Sequence, residues 1–390
     1  MTIDNMSDSG SPTVDVLITV FNGEKTLSKS IDSILNQTYS NLNIVIVDDG
    51  STDKSRELLK DISAKDHRVQ VVEKAHSGIV DSLNTGLEFC KNQFLARFDS
   101  DDISFPTRIE RQVSFLQNNP EYVAVSSAFV TIDQAGNPIS GKNKHPDVSL
   151  ADPEWVPAKE PFLMQTLLMV RRSAFDSVGG YRFCEVSEDS DLYWRLSQLG
   201  GMHIIDDVLG QYTYNPDGVS SKSIVNGRRM SFWSQFVATS ARRRRNNVQD
   251  MVFDKKRLDS IGPAKSMQDF MDFGAYDLMP NEIQFFKTTF SAKLLQLTSY
   301  RPYELEVEDC EFINLNLVKR LNDISYVNRW ILKRDIEKAA LRLFSKFRLR
   351  EMIALCGISF PFVLMSAFAK KVLPTSFKNK LKALFIHYKK

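Results

Sequence analysis

Three carboxylate clusters stand out by residue type and spacing: Asp48-Asp49-Gly50-Ser51-Thr52-Asp53, Asp99-Ser100-Asp101-Asp102 and Glu188-Asp189-Ser190-Asp191. Any one of them is open to a plain reading as a helix cap with a solvated loop, and Ser51 and Asp53 are good N-cap residues. The second cluster resists that reading. Three carboxylates within four residues repel one another unless a cation sits among them. Hard oxygen ligands of this kind suit Mg²⁺ or Mn²⁺, which in turn bind a diphosphate. The third cluster directly precedes Leu192-Tyr193-Trp194-Arg195, so Asp191 reads as the cap of a helix.

The first hundred residues supply the elements that must hold these acids. Val14 to Val20 is a β-rich run, and Leu27, Ile31, Ile34 and Leu35 then share one helix face. Ile44 to Val47 is continuously apolar, as in a strand covered on both sides. Leu58, Leu59 and Ile62 mark a second helix, Val69 to Val72 a third strand, Ile79, Leu83 and Leu87 a third helix, and Phe94 to Phe98 a fourth strand. Such alternation predicts a parallel α/β sheet between helices, whose ligands sit beyond the carboxyl ends of the strands. Two of the acidic clusters follow strands two and four directly. From Asn226 to about Ser345 the chain is long, polar and helical in pattern, with Arg242 to Arg245 as a run that reads as a solvated face or a contact to acceptor phosphate or lipid headgroups. No internal repeat is evident.

A chain of 390 residues with 43% apolar and 25% charged residues is a globular protein of two or three folding units, not a polytopic membrane protein or a disordered one. Four scattered cysteines argue against a disulfide scaffold or a thiolate zinc site and for a reducing compartment. The start MTIDNMSDSGSPT has no basic-then-apolar pattern, so no secretory leader is expected. From Lys333 to Lys390 there are 14 basic and 3 acidic residues, a charge of +11. The first 332 residues carry 36 basic against 45 acidic, a balance of −9. A basic end on an acidic body points to an anionic surface rather than to nucleic acid. Met352 to Ala369 is uncharged over 18 residues, about 27 Å as a helix, and is interrupted by Gly357 and Pro361. It can span, insert shallowly or pack in a core. Phe377, Leu381, Leu384, Phe385 and Tyr388 then form one face of a Lys-rich amphipathic helix of the kind that binds anionic lipid.

Residues 13–215 resemble the family 2 glycosyltransferases of the GT-A fold. The matching stretches are Val16–Asn22, the 48–53 cluster, Gly78 with Asn84-Thr85-Gly86, the Asp99–Asp102 group, Pro106-x-Arg108 with Gln112, Gly179-Gly180-Tyr181, and Glu188-Asp189-x-Asp191-Leu192. The resemblance implies a Rossmann-like mixed sheet flanked by helices, followed by a C-terminal helical region. It implies donor binding by Thr19, Phe21, Asn22, Glu24, Asp49, Asp99 and Ser100, with Phe21 stacking on a pyrimidine and Asp49 accepting from the base or ribose. Asp101, with Asp99, would hold Mn²⁺ or Mg²⁺ on the diphosphate. Asp189 would be the catalytic base and Glu188 an acceptor-orienting residue. Glu24 is equally a helix N-terminal acid by its position. His76 gets no catalytic role, and Gly78 and Gly86 are expected to serve close packing. The family's terminal Tyr-Arg-x-His segment is replaced by Tyr212-Thr213-Tyr214-Asn215, so Asn215 offers an amide where a metal-binding His often stands.

The expected organisation is a tail over 1–12, a GT-A domain over 13–225, a helical domain over 226–345 and a membrane-associating tail over 346–390. The expected function is inverting, metal-dependent transfer of a hexosyl group from a nucleotide-sugar, UDP-linked, to a glycan or lipid-linked acceptor. The setting is surface polysaccharide synthesis at the cytoplasmic, inner face of a membrane, with no nucleic-acid partner. Two alternatives stay open: a nucleotidyltransferase of similar fold, and a non-catalytic sugar-nucleotide-binding protein.

Overall fold

The computed structural model describes residues 11–215, 223–262, 264–301 and 303–357. The described residues divide into two units. Those within 1–153, 159–220 and 237–260 form the first, and those within 154–158, 221–236 and 261–390 the second. Residues 237–260 thus go with the sheet, whereas the expected boundary after 225 grouped them with the helices.

The first unit is built on one eight-stranded sheet in the order β3-β2-β1-β4-β7-β6-β8-β5. Strands β1 (Val14–Val20), β2 (Leu42–Asp48), β3 (Val69–Glu73) and β4 (Phe94–Asp99) are mutually parallel, as the strand and helix alternation predicts. The sheet becomes mixed beyond β4. There β5 (Ile103–Ser104) and β7 (Met169–Arg171) run antiparallel to their neighbours, and β6 (Tyr122–Ile132) pairs in parallel with β8 (Gly201–Thr213).

Strand parity sorts the core. Val14, Val16, Ile18 and Val20 of β1 pack with Ile44, Ile46, Phe94, Ala96 and Phe98 against helices α1 (Leu27–Leu35), α2 (Ser55–Lys65) and α4 (Arg108–Asn118). Leu17, Val45, Val47 and Leu95 point the other way. They meet α3 (Ile79–Leu87), α5 (Arg172–Ser177) and α6 (Glu188–Leu196). Burial of β1 and β2 on both faces explains why they are near-continuously apolar. Gly86 lets α3 lie close on the sheet: a Cβ there would fall 2.3 Å from Leu17 Cδ1 and 2.8 Å from Val47 Cγ2. The packing expected of Gly86 is thus observed.

Helix α7 (Ile224–Arg245) ends in the arginine run. Arg243 is buried, Arg244 donates to Ser240 and Asp250, and Arg245 pairs with Asp152 at 2.8 Å. The expected solvated basic face is therefore corrected in part: Arg243 and Arg244 are drawn inward, while Arg245 stays exposed in a surface ion pair, all at a helix C-terminus, where cations are favoured. In the second unit, helices Met267–Gly274 and Pro280–Leu297 bury Phe270, Phe286 and Phe290 with Phe232 of α7. Helix Leu349–Cys356 packs on Val307–Asn316 and Tyr326–Ser345, burying Met352, Leu355 and Cys356. The opening of the apolar 352–369 run is thus core, while its remainder and the Lys-rich helix lie outside the described residues. No helix among the described residues is long and apolar enough to cross a membrane. The four cysteines are free and buried.

The turn after β2 depends on Gly50, which has φ +78° and leaves only 2.7 Å between a would-be Cβ and His76 N. Gly50→Ala combines left-handed strain with a backbone clash that cannot relax cheaply. It should cost about 2 kcal/mol or more in urea unfolding. A loss below about 0.5 kcal/mol, the range of a neutral surface change, would show that the turn is not held against the 74–78 loop.

Candidate active site

The parallel register brings the strand ends level. Thr19 of β1 is paired with Val47 of β2 on one side and with Asp99 of β4 on the other. The loops after β1, β2, β3 and β4 therefore open at one carboxyl edge, where ligands of such sheets bind.

The loops after β1 and β2 are stitched together. Asn22, with φ +52°, accepts from Thr52 N–H at 2.8 Å through Oδ1 and donates its own N–H to Ser51 Oγ at 2.9 Å. Gly23 N–H donates to Ser55 Oγ, Glu24 N–H to Asp53 Oδ2, and Lys54 N–H to Glu24 Oε2. Ser51 does not cap α2, which begins after Lys54, whereas Asp53 Oδ1 does accept from the N–H of Ser55, its first residue, at 3.0 Å. Ser51 Oγ and Asp53 Oδ2 also fasten the β1 loop. Asp48 is fully buried, accepting from Ser51 N–H and pairing with Arg56 at 2.8 Å.

Asp49 organises the loop after β3. Its carboxylate accepts from Ser77 N–H at 3.0 Å and Gly78 N–H at 2.9 Å, and it pairs with Lys74 at 3.1 Å and His76 Nδ1 at 2.9 Å. Burial pushes its pKa up, but a close Ser82 hydroxyl and these donors outweigh that and hold it below the usual carboxylate range. Gly78 has φ +94° and open space where a Cβ would be, so it serves backbone conformation and the bond to Asp49, not close packing. Phe21 is 48% exposed and stacks on the His76 ring with centroids 4.1 Å apart, which makes it a surface platform and not core filling.

Asp99 is tied from behind by a residue that sequence patterning missed. Arg97, with its side chain 3% exposed, pairs with Asp99 Oδ1 at 2.6 Å and reaches Thr19 Oγ1 at 3.3 Å and Phe98 O. Asp99 N–H donates to Thr166 Oγ1, Ser30 Oγ donates to Asp99 O, and Thr26 Oγ1 to Ser100 O. Asp101 has no such partner: burial, then the neighbouring Asp99, push its carboxyl up to about 6. Asp102 is buried, with Oδ1 accepting from Thr213 N–H at 2.7 Å and Oδ2 orphaned; burial, Asp99 and Asp101 raise it well above its ordinary range. Arg108 and Gln112 brace this strand end. Arg108 is fully buried, donating to Gln112 Oε1, Arg97 O and Leu168 O, while Gln112 donates to Leu167 O at 2.6 Å. Burial lowers the Arg108 pKa to about 9.

Helix α6 starts after Ser187, a non-glycine residue with φ +70°. Asp191 is not its cap. Asp191 is fully buried, held by Arg182 and by Arg195 at 2.7 Å, and Arg182 continues to Asp250 at 3.0 Å. Glu188 and Asp189 remain half-buried in dense surroundings. Ser190 Oγ donates to Glu160 at 3.0 Å, and Ser190 N–H to Asp189 Oδ1 at 2.7 Å. Burial raises Glu188, opposed by Arg97 and reinforced by Asp99. Burial, then Glu188, push Asp189 up to about 8, with Glu160 adding to the rise. Asp99, Glu188 and Asp189, with Arg97, also act together on Tyr181, so the three expected acids share one electrostatic neighbourhood. Asn215 instead accepts from Gln134 at 3.2 Å.

No group of three or more His, Cys, Asp and Glu among the described residues forms a ready metal cage. The donor chemistry still fits a hard divalent cation. Such an ion takes one or two carboxylates and completes its shell with substrate phosphates and water, and Asp101 is a crowded carboxylate with no salt bridge of its own among the described residues, although the charge of Arg97 partly opposes its rise. Asp101 also lines a cleft of about 610 Å³ with Lys25, Thr26, Lys29, Ser104 and Gln211.

The glycosyl transferase family 2 description matches residues 15–179. The protein EpsE of Bacillus subtilis, assigned as a glycosyltransferase, is 34% identical over 197 residues, which are 49% of this chain and 69% of EpsE. The amylovoran biosynthesis glycosyltransferase AmsE of Erwinia amylovora is 30% identical over 194 residues, 47% of this chain and 70% of AmsE. A solved mannosyltransferase of Pyrobaculum calidifontis, in complex with GDP-Man and Mn²⁺, is 16% identical, with a TM-score of 0.46 over 89% of this chain and 86% of its own. The chain belongs to glycosyl transferase family 2. The mixed sheet is the GT-A type expected of that family.

The raised Asp189 pKa has a consequence for stability. Its folded value near 8 exceeds the ordinary value of 3.8, so the native state retains a proton that the unfolded chain has released between those limits. Folding free energy should therefore fall as pH rises from about 4 to about 8. Asp189→Asn cannot ionise, so its stability advantage over wild type should grow across that window in denaturant titrations. A constant difference from pH 4.5 to 8 would place Asp189 in an ordinary solvated environment.

Proposed function

We propose that this protein is an inverting hexosyltransferase moving a sugar from a nucleotide-sugar donor, UDP-linked, to a glycan or lipid-linked acceptor in surface polysaccharide synthesis. The observation that supports this reading is the electrostatic contact of Asp99, which crowds Asp101, with Glu188, which crowds Asp189, so that acids from two distant segments act on one another. The name of AmsE, a relative in amylovoran biosynthesis, supports the polysaccharide setting. The basic end of the chain supports work at the cytoplasmic, inner face of a membrane.

In this reading the acceptor hydroxyl oxygen attacks the anomeric carbon while the bond from that carbon to the diphosphate oxygen breaks. Asp189 takes the hydroxyl proton, and the nucleoside diphosphate leaves from the opposite face, so configuration inverts. Glu188 orients the acceptor. Phe21 supports the base, and Asn22, Glu24 and Asp49 shape its pocket through the loops they hold. Thr19, Asp99 and Ser100 complete the donor edge. Mn²⁺ or Mg²⁺ held by Asp101 with Asp99 would neutralise charge on the leaving diphosphate.

A panel of nucleotide sugars, assayed for hydrolysis and transfer with and without Mn²⁺, tests the reading and separates it from nucleotidyl transfer and from binding alone. Asp101→Ala should abolish transfer and remove the Mn²⁺ dependence of donor binding; equal donor affinity under saturating metal would overturn the metal assignment. Asp189→Asn should lose roughly 10²–10⁴ in kcat with donor binding intact. Because the base acts deprotonated, wild-type kcat/KM should rise with pH on a limb well above the ordinary carboxylate range. A product retaining the donor's anomeric configuration would contradict single displacement.

A further inference from the structure

Helix Tyr326–Ser345 is two-faced. Asn328, Leu332, Ile336, Ala339, Ala340 and Leu343 are buried in the second unit. The opposite face exposes Tyr326 (63%), Val327 (57%) and Trp330 (60%), then Lys333, Arg334 and Lys338, and ends at Phe344. Just beyond it Phe347, Leu349 and Ile353 are exposed too. The Arg334 guanidinium lies 5.5 Å from the Trp330 ring centre, a cation stacked on an aromatic face open to solvent. From Lys319 to Arg350 there are ten basic and three acidic residues.

We propose that this face docks on an anionic lipid bilayer, with the helix lying in the interface plane. At 1.5 Å per residue the helix offers about 30 Å of contact. Its exposed surface places amphipathic aromatics at headgroup depth and basic side chains against lipid phosphate, the pattern of an interfacial helix. Charge selects the occupant. A second copy pairing isologously would set Lys333, Arg334 and Lys338 against their own equivalents, and protein interface cores are depleted in lysine. An anionic bilayer meets the same cations with opposite charge. This proposal uses no residue of the transferase reading, so its failure and that of the transferase reading are distinguishable.

Trp330 itself reports the contact. Trp194 and Trp233 are buried and Trp155 is half-buried, so the emission accessible to acrylamide in the full-length protein is dominated by Trp330. With vesicles of phosphatidylcholine and phosphatidylglycerol the emission should shift to the blue and acrylamide quenching should drop, and Trp330→Phe should remove both changes. Phosphatidylcholine alone should give neither. Lys333→Glu with Arg334→Glu should weaken vesicle affinity at least tenfold while donor hydrolysis stays unchanged. Vesicle binding that leaves Trp330 fully quenchable would assign the contact to the residues beyond 357 and overturn the proposal. Shielding of Trp330 before any vesicle is added, or conversion of a dimer to a monomer by the double charge reversal, would overturn it in favour of the chain's own end or a second copy.

Discussion

The first unit is shaped by the need to accommodate carboxylates at the carboxyl edge of its sheet and at the start of α6. Seven of them come from three segments, and the protein treats them in two ways. Asp48, Asp49 and Asp99 are each given cations or hydrogen-bond donors: Arg56 for Asp48; Lys74, His76 and two backbone N–H groups for Asp49; Arg97 for Asp99. Asp101, Asp102, Glu188 and Asp189 are left short, and burial pushes each of them upward. Acids served by the chain are fixed in place by it, Asp48 and Asp49 through both oxygens and Asp99 through Oδ1. Acids left short can be served by a ligand, a metal or a transferred proton, which is why perturbed groups gather where chemistry happens.

Arg97 links the two groups. It lies in β4, buried and ion-paired, and its charge opposes the rise of Asp101 and Glu188 as well as holding Asp99. Arg108, from the next helix, then donates to the Arg97 carbonyl and to Leu168, so the strand end that carries Asp99 is braced by a second buried guanidinium. An unpaired buried charge is costly, and a strand that tolerates Arg97 does so because Asp99 and Thr19 take its Nη2 donors and Phe98 O its Nη1, leaving only Nε without a partner.

The parallel strands, their helices and the acidic ends were legible because apolar periodicity reports burial and the clusters stood directly after strands. Roles within the clusters were less legible. Asp191 and Asp189 sit two residues apart in one acidic run, yet one is locked between Arg182 and Arg195 and the other lacks any cation. No local pattern separates them, since Arg182 arrives from a loop and Asp250 from beyond α7. Ser51 and Glu24 looked like caps because capping is a local rule, whereas their bonds cross between two loops; Asp53 does both, one oxygen on the first N–H of α2 and the other on Glu24 N–H. Arg97 did leave a signal: a lone cation inside the apolar run FLARFD must be paired if that run is a buried strand.

The clamp on Asp191 explains how Asp189 can be both strained and well placed. Successive residues of a helix project about 100° apart, so positions 189 and 191 face different directions. Arg182, Arg195 and Asp250 fix the Asp191 side, and Leu192, Tyr193 and Leu196 bury α6 against the sheet. Tyr193 further donates to Gln165, next to the Thr166 that accepts from Asp99 N–H. The helix start therefore has little freedom to swing Glu188 and Asp189 away from each other or out to water. Rigid support of this kind is what allows a carboxylate to remain in an environment that raises its pKa, because relaxation would otherwise relieve the cost. The same support connects α6 to the β4 edge through the 165–166 turn, so the two pairs of acids are positioned by one continuous set of bonds.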